Sequence, residues 1–172
     1  MITGKLANEW VLAEKTDEAL ELYDKSRLGN PVGKTHIQYS LVEALFLMEK
    51  DKLKIISGRK ELEFEQFLKK AKKTDKRFWT RYQVYKDMRK RGYILKTALK
   101  FGADFRVYDK GIKPGEDHAK WILYPVNESE WMTWYEFCAK NRVAHSTQKK
   151  LLLGIVDEEG DVTYYQASWV RP

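Results

Sequence analysis

Several features that define other classes of protein are missing from this chain. It has one cysteine, Cys138, so an internal disulfide framework is excluded and a reducing cytoplasm is the expected compartment. No apolar run approaches the roughly 18–20 residues of a membrane-spanning helix, and the N-terminus lacks the apolar core of a signal peptide. There is also no serine nucleophile elbow, glycine-rich phosphate loop or metal-ligand cluster. We therefore expect neither a membrane partner nor a metal or other cofactor.

Positive charge is in excess, and most of the excess lies in the second half of the chain. The 172 residues carry a formal net charge of +7, and from Arg77 onward 17 lysines and arginines face 12 aspartates and glutamates. An excess of basic residues, interspersed with many aromatic residues, favours a polyanionic partner such as nucleic acid. Charge alone is equally compatible with a basic protein that binds no polyanion.

Local patterns predict a mixed fold, α/β or α+β, arranged as two small tandem domains. In the first half we expect short strands within residues 1–14 and 53–56, a turn at 28–33, and helices over 17–27, 40–50 and 64–73. The Ser40 to Glu43 spacing is that of a capping box, which predicts the start of the second helix. The composition shifts near residue 75, so the predicted domains are 1–75 and 76–172.

The second half alternates strand and helix patterns. A helix over 76–91 has Phe78, Tyr82, Tyr85 and Met88 as its apolar stripe, and Gly92 is a good C-terminal stop. Thr133 and Glu136 form a second capping box that opens a helix ending near His145. Strands are predicted at 93–96, 104–108, 118–124 (closed by Pro125), 149–156 and 162–170.

Three chemically useful side chains fall at the edges of these predicted strands. Tyr108 ends one strand, His118 begins the next and Lys149 begins a third. If the strands are neighbours in one sheet, a phenol, an imidazole and an ammonium group converge. Each residue also has an ordinary explanation: a strand tyrosine, a surface histidine, and a charged residue that guards a strand end. His36 lies in a turn-rich stretch without a charged neighbour and is set aside.

The sequence around these positions resembles the archaeal tRNA-splicing endonucleases. The similarity rests on residues 93–97 and 100–108, on Glu-Asp-His at 116–118, on Arg-Val-Ala-His-Ser-Thr-Gln-Lys-Lys at 142–150, and on the tail from 156 to 172. It is strong over residues 76–172 and only in outline over the first 75. The resemblance implies a C-terminal nuclease domain with a central mixed sheet flanked by helices. It also implies a catalytic trio of Tyr108, His118 and Lys149, and a pair of arginines, Arg142 and Arg171, that clamps a flipped-out bulge base.

Members of that family cut pre-tRNA and other RNAs with a bulge–helix–bulge, without metal, and leave a 2′,3′-cyclic phosphate and a 5′-hydroxyl. Such a reaction needs a base for the ribose 2′-OH, an acid for the departing 5′-oxygen and a cation for the phosphorane. We assign Tyr108 as base, His118 as acid and Lys149 as the electrostatic stabiliser; exchanging the first two roles is the alternative.

The resemblance further implies a homotetramer, with a dimer as the minimum. The family loop that locks two dimers together corresponds here to the acidic turn at 157–161, so the expected interface residues are Asp157, Glu158, Glu159 and Asp161. An ordinary solvated hairpin turn is the alternative for this loop. Two other functions stay open: a non-catalytic subunit of a splicing endonuclease, and an RNA-binding module without chemistry.

Overall fold

The fold is mixed α/β, as predicted, and is built on two mixed sheets. The computed structural model describes residues 1–98 and 102–172, and within them the chain forms two compact units, Met1–Tyr82 and Gln83–Pro172. None of the described helices is long and apolar enough to cross a membrane.

The first unit contains a six-stranded sheet. Its strands are β1 (Ile2–Ala7), β2 (Trp10–Glu14), β3 (Asn30–Val32), β4 (His36–Ser40), β5 (Leu53–Ser57) and β6 (Lys60–Leu62). Its helices are α1 (Asp17–Ser26), α2 (Leu41–Glu49) and α3 (Phe64–Thr74), and helix α4 (Phe78–Lys90) begins in this unit and continues into the second. The strand order is β3-β4-β2-β1-β5-β6, in which β1 and β5 are parallel.

Helix α2 begins where the capping box predicts. The Ser40 hydroxyl accepts a hydrogen bond from the Glu43 N–H, and the Glu43 carboxylate accepts one from the Ser40 N–H. Glu43 is buried, and its second oxygen accepts the Gly29 N–H. These hydrogen bonds replace those that the carboxylate would make to water, so its burial is tolerated.

Three strands of the first unit differ from the sequence prediction. The stretch predicted as a turn at 28–33 contains strand β3, and strands β4 and β6 were not predicted at all. Strand β3 contains Pro31, but it is the outer strand of the sheet and pairs on one side only. Proline lacks a backbone N–H, and an edge strand tolerates this because its open side forms no ladder.

The second unit contains a five-stranded sheet in the order β11-β10-β9-β8-β7. Its elements are β7 (Ile94–Ala98), β8 (Ala103–Tyr108), β9 (Trp121–Asn127), α5 (Trp134–Ser146), β10 (Lys150–Val156) and β11 (Val162–Ala167). Strands β9 and β10 are parallel, and helix α5 makes the crossover between them.

Helix α5 and the part of α4 that belongs to this unit pack against this sheet. The α4 stripe is buried as predicted, with Phe78, Tyr82, Tyr85 and Met88 each at most 3% exposed. Tyr85 packs on Phe105 with ring centroids 5.7 Å apart. A Cβ atom at Gly154 would lie 3.0 Å from Val84, so the missing side chain allows α4 to approach strand β10 closely. On the α5 side, Ala144 packs with Ile122 and Leu151 in a second apolar cluster.

The predicted bounds of all five strands in this unit were wrong, those of β7 and β8 by only one or two residues at an end. Strand β9 begins at Trp121, not His118, and continues through Pro125 to Asn127. Pro125 is tolerated because the β8–β9 pairing extends only to Leu123, so the side of β9 that lacks an N–H faces no ladder there. Strand β10 begins at Lys150, and β11 ends at Ala167 instead of Val170. Lys100 and Phe101, which belong to the family-like motif, lie outside the described residues.

Candidate active site

Tyr108, His118 and Lys149 line one pocket of the second unit. The pocket has a volume of about 400 Å³, and its walls are formed by eight residues: Arg106, Tyr108, Gly115, Glu116, Asp117, His118, Ala119 and Lys149. The three side chains that sequence reasoning placed at strand edges are therefore close to one another. They reach the pocket from three different elements.

Tyr108 is the last residue of strand β8, an interior strand of the sheet that lies between β7 and β9. It pairs with Ile94 of strand β7 and is 5% exposed. Pairing with β7 holds its backbone and the side chain is buried, so the phenol is fixed before any ligand arrives. Such preorganisation is what a positioned acid or base requires.

His118 is carried by the loop between β8 and β9 and is exposed. This position corrects the prediction that it begins a strand. The loop has its own hydrogen bonds: the Asp117 carboxylate accepts the His118 N–H at 2.7 Å, and the Glu116 carboxylate accepts the Lys113 N–H at 2.9 Å. Gly115, also in the pocket wall, has a φ of +95°, which a residue with a side chain rarely adopts.

The two ends of this loop are joined near the pocket. The Lys120 N–H donates to the Val107 carbonyl at 2.9 Å, and the Lys120 ammonium pairs with Asp109 at 2.9 Å. The hydrogen bond from Lys120 and a second from the Lys110 backbone lower the pKa of Asp109. The loop therefore begins and ends at fixed positions, and His118 lies in a tethered segment.

Lys149 is positioned by the end of helix α5. Gln148 has a left-handed φ of +57°, its N–H donates to the His145 carbonyl, and the Lys149 N–H donates to the Ala144 carbonyl at 2.8 Å. This pair of bonds is a Schellman motif, which ends a helix and turns the chain sharply. Lys149 therefore lies between helix and strand, not at the first strand position as predicted.

The Lys149 side chain is half-buried, and its ammonium group donates to the Thr147 carbonyl at 2.9 Å. Lys150 is exposed and does not line the pocket. The two adjacent lysines thus occupy different environments, and only the first is part of the pocket wall.

Neither of the two predicted RNA-binding arginines lines the pocket. Arg142 is exposed on helix α5. Arg171 lies over the Trp169 ring at 5.5 Å, and that ring packs edge-on against His145 at 4.3 Å. Residues 142 and 145 are three apart on the helix and share a side. The C-terminal tail is therefore held against the part of α5 that carries Arg142. Trp169, which makes this connection, was given no role by the sequence patterns.

The acidic turn after strand β10 is held together by Asp157. Its carboxylate accepts the N–H groups of Glu159 and Asp161, both at 2.9 Å. The Glu158 N–H donates to Glu128, while the Glu158, Glu159 and Asp161 side chains are exposed. Asp157 therefore shapes the turn, and the other three residues present its negative charge to solvent.

Comparison with known proteins shows the family. The catalytic C-terminal domain of tRNA intron endonucleases matches residues 78–164, and the N-terminal domain of the same family matches residues 2–68. The chain belongs to the tRNA intron endonuclease family. The pocket residues lie within the match to the catalytic domain, and so do the family-like motifs apart from the last eight residues of the tail.

Several archaeal members of the tRNA intron endonuclease family are similar over nearly their full length. A tRNA-splicing endonuclease of Nanoarchaeum equitans is 48% identical over 84% of this chain and 96% of its own length. Those of Thermococcus onnurineus and Methanothermobacter thermautotrophicus are 40% and 37% identical, each over 99% of this chain and over 97% and 99% of their own lengths.

The pocket has both positive and negative groups. Arg106 and Lys149 supply the cations, while Glu116 and Asp117 supply carboxylates that accept N–H groups of their own loop. Across residues 1–98 and 102–172, the His, Cys, Asp and Glu side chains form no group of three suited to a metal ion. The arrangement can hold an anion beside a phenol and an imidazole.

Proposed function

We propose that this protein excises introns from pre-tRNA by cutting the RNA strand at bulge–helix–bulge junctions, without metal. The observation that carries the proposal is that Tyr108, His118 and Lys149 line one pocket of about 400 Å³. The archaeal relatives bear the name tRNA-splicing endonuclease, which supports the same substrate. The products would be a 2′,3′-cyclic phosphate and a 5′-hydroxyl.

Each member of the trio has one task in this reaction. Tyr108 as phenolate takes the proton of the ribose 2′-OH, and the 2′-oxygen forms a bond to the adjacent phosphorus. The bond from phosphorus to the 5′-oxygen breaks, and the His118 imidazolium gives that oxygen a proton. Lys149 stabilises the extra negative charge on the phosphorane between these steps. The half-buried position of Lys149 strengthens this effect, because charges interact more strongly away from bulk water.

Substrate selection follows from the shape of the RNA. Bases in an A-form helix are hard to read, whereas an unstacked bulge base can be held between flat guanidinium groups. Arg142 and Arg171 are the proposed clamp. Unpairing at the bulge also frees the 2′-OH for in-line attack, so a continuous duplex would be a poor substrate.

The direct test is cleavage of a bulge–helix–bulge RNA by the purified chain in excess EDTA. We expect cutting at both junctions, a 5′-hydroxyl that polynucleotide kinase phosphorylates, and a cyclic phosphate that acid opens. A 2′-deoxy nucleotide at the junction should block the reaction. Binding without cleavage would indicate an RNA-binding module or a subunit that needs a catalytic partner, and loss of cleavage in EDTA would indicate a metal-dependent nuclease.

A modified leaving group distinguishes the two acid–base assignments. With sulfur in place of the 5′-oxygen, the leaving group is a thiolate that needs no proton. The His118→Ala variant should cleave the normal substrate about 10²-fold or more slowly than the wild type, but it should cleave the 5′-thio substrate almost as fast as the wild type. If instead Tyr108→Phe cleaves the 5′-thio substrate at nearly the wild-type rate, the two roles are exchanged.

Arg142→Ala tests the base clamp. Stacking of a base on a protein side chain contributes about 1–3 kcal/mol, so cleavage of bulged RNA at sub-saturating concentration should fall by roughly tenfold or more. Arg89→Ala on helix α4 is the control for loss of one positive charge. Wild-type cleavage by the Arg142 variant would make that residue an ordinary surface charge.

A further inference from the structure

One charged residue of the pocket has no role in the trio. Arg106 lies two residues before Tyr108 on strand β8, so the two side chains point to the same face of the sheet. It is half-buried and forms part of the same pocket wall as His118 and Lys149. On the neighbouring strands it is paired with Lys96 and Ile122, neither of which offers a negative charge.

The Arg106 guanidinium lacks the partner that comparable arginines have. The Nε atoms of Arg27, Arg81 and Arg106 are all buried without a hydrogen-bond acceptor. The guanidinium groups of the first two nevertheless meet a carboxylate, at 3.5 Å from Asp24 and 2.7 Å from Asp75 respectively. Within the part of the chain that the structure describes, no ion pair or hydrogen bond reaches the Arg106 side chain. The two carboxylates of the pocket accept hydrogen bonds from their own loop.

Arg106 is half-buried, and its buried Nε has no acceptor, which is unfavourable unless an anionic group compensates it. The guanidinium group is a flat fork of N–H donors that matches two phosphate oxygens at once, whereas an ammonium group acts as a point charge. Arg106 is therefore complementary to a phosphodiester, and it is placed beside the phenol proposed to activate the 2′-OH.

We propose that Arg106 binds a non-bridging oxygen of the scissile phosphate and, with Lys149, holds the charge of the phosphorane. This inference rests on the proposed function. It divides the electrostatic task between two cations: Lys149 is anchored to a backbone carbonyl at the helix end, and Arg106 is anchored in strand β8, which is paired on both sides. The phosphate is thereby fixed with respect to Tyr108.

The test compares single-turnover cleavage by wild type, Arg106→Gln, Arg106→Lys and Arg81→Gln. Loss of one donor to a developing oxyanion lowers a rate by about 10²–10³-fold, and we expect Arg106→Gln to fall in that range. Affinity for an uncleavable RNA, 2′-deoxy at the junction, should change by less than about tenfold, because many phosphates contribute to binding. Arg106→Lys should be intermediate, since it keeps the charge without the fork. Arg81→Gln, which also removes a buried Nε, should cleave at the wild-type rate.

Sulfur substitution at each non-bridging oxygen of the junction phosphate identifies the contact itself. The wild type should cleave one of the two phosphorothioate diastereomers more slowly than the unmodified RNA. This difference in rate should disappear in Arg106→Gln and in Arg106→Lys. Guanidinium ion should partly restore Arg106→Ala, which a purely structural role would not allow. If Arg106→Gln does not fold, the lysine variant and the sulfur effect decide the question.

The inference is overturned if the Arg106 variants cut at the wild-type rate, if Arg81→Gln slows cleavage equally, or if the sulfur effect survives the substitutions. These results would leave the proposed function intact, because the wild-type enzyme would still cleave. Failure of the wild type to cut bulged RNA would instead overturn the proposed function and this inference with it.

Discussion

At the scale of single residues, two adjacent lysines provide a matched comparison. Lys149 is half-buried in the pocket wall, and Lys150 is exposed outside it. Lys149→Ala should lower the single-turnover cleavage rate by about 10²-fold or more, while RNA affinity changes little. Lys150→Ala removes the same charge and should stay near the wild-type rate. Equal effects of the two substitutions would mean that only overall charge matters.

Tyr39 is a buried residue whose hydroxyl group carries a cost in stability. The residue is 0% exposed, and no hydrogen-bond partner for its hydroxyl occurs among the described residues. Burial, helped by the negative charges of Glu43 and Glu18, raises its pKa from 10.0 to about 12. An unsatisfied buried polar group costs about 1–3 kcal/mol. Tyr39→Phe should therefore leave the free energy of unfolding at pH 7 unchanged or raise it by about 1 kcal/mol.

The raised pKa of Tyr39 also predicts how the free energy of unfolding changes at alkaline pH. Because the folded-state pKa of Tyr39 lies above the unfolded value, its ionisation in the unfolded chain lowers the free energy of unfolding as pH rises from 10.0 towards about 12, and has no effect well below pH 10.0. Urea denaturation at several pH values in this window should show a shallower decline for Tyr39→Phe than for the wild type. Tyr165→Phe, at a 58% exposed site, is the control. A steeper decline in the Tyr39 variant would contradict the expectation.

At the scale of elements, the end of helix α5 decides where Lys149 lies. Gln148 is held at a φ of +57°. For residues with a Cβ, this left-handed conformation is less favourable than the right-handed one by about 1–2 kcal/mol. Gln148→Gly should raise the free energy of unfolding by about 1 kcal/mol, allowing for the greater freedom of glycine in the unfolded chain. The cleavage rate should be retained because the Schellman hydrogen bonds remain.

Gln148→Val is the opposite change at the same position. A β-branched residue is a genuine outlier at positive φ, so the variant should be less stable than wild type and should misplace Lys149. Thermal denaturation and single-turnover cleavage measure the two effects. A valine variant with wild-type stability and rate would show that the helix end does not position the lysine.

At the scale of the whole molecule, the described residues provide one trio of Tyr108, His118 and Lys149, whereas the proposed bulge–helix–bulge substrate has two junctions to cut. Two active sites at a fixed separation require at least a dimer. Strand β11 is the outer strand of its sheet, is uncharged and carries Tyr165 at 58% exposure. An exposed edge of this kind is an aggregation hazard unless another chain covers it. Both arguments support the proposed self-association.

The acidic turn is the proposed contact between dimers, and its structure sharpens the test. Asp157 should be kept, because its carboxylate holds the turn together. The triple variant Glu158→Gln, Glu159→Gln, Asp161→Asn removes the exposed charges alone and should convert tetramers into dimers in size-exclusion chromatography with light scattering. High salt should act in the same direction if the contact is solvent-accessible.

A matched triple variant controls for the change in net charge. Glu9, Glu14 and Glu65 are exposed acidic residues away from the turn, and their replacement by glutamine should leave the tetramer unchanged. A tetramer that persists in the acidic-turn variant would exclude that loop as the contact. A wild-type monomer at micromolar concentration would contradict the tetramer, the loop contact and the strand pairing together.

The sequence by itself determined those features whose cause is local. The capping boxes at Ser40 and Thr133 start helices because the bonded groups are three residues apart in the chain. The apolar stripe of α4 is buried because a spacing of three or four residues puts its members on one face. The residues of the trio could be chosen because their motifs resemble a family with known chemistry.

Only the tertiary structure decided where strands begin and end, because their hydrogen bonds come from distant parts of the chain. It placed His118 in a loop, put Lys149 at a helix end, and made a strand of the segment around Pro31. The alternation on β8 already put Arg106 and Tyr108 on one face. That the Arg106 Nε is buried without an acceptor depends on which side chains surround it, and those come from other elements of the fold.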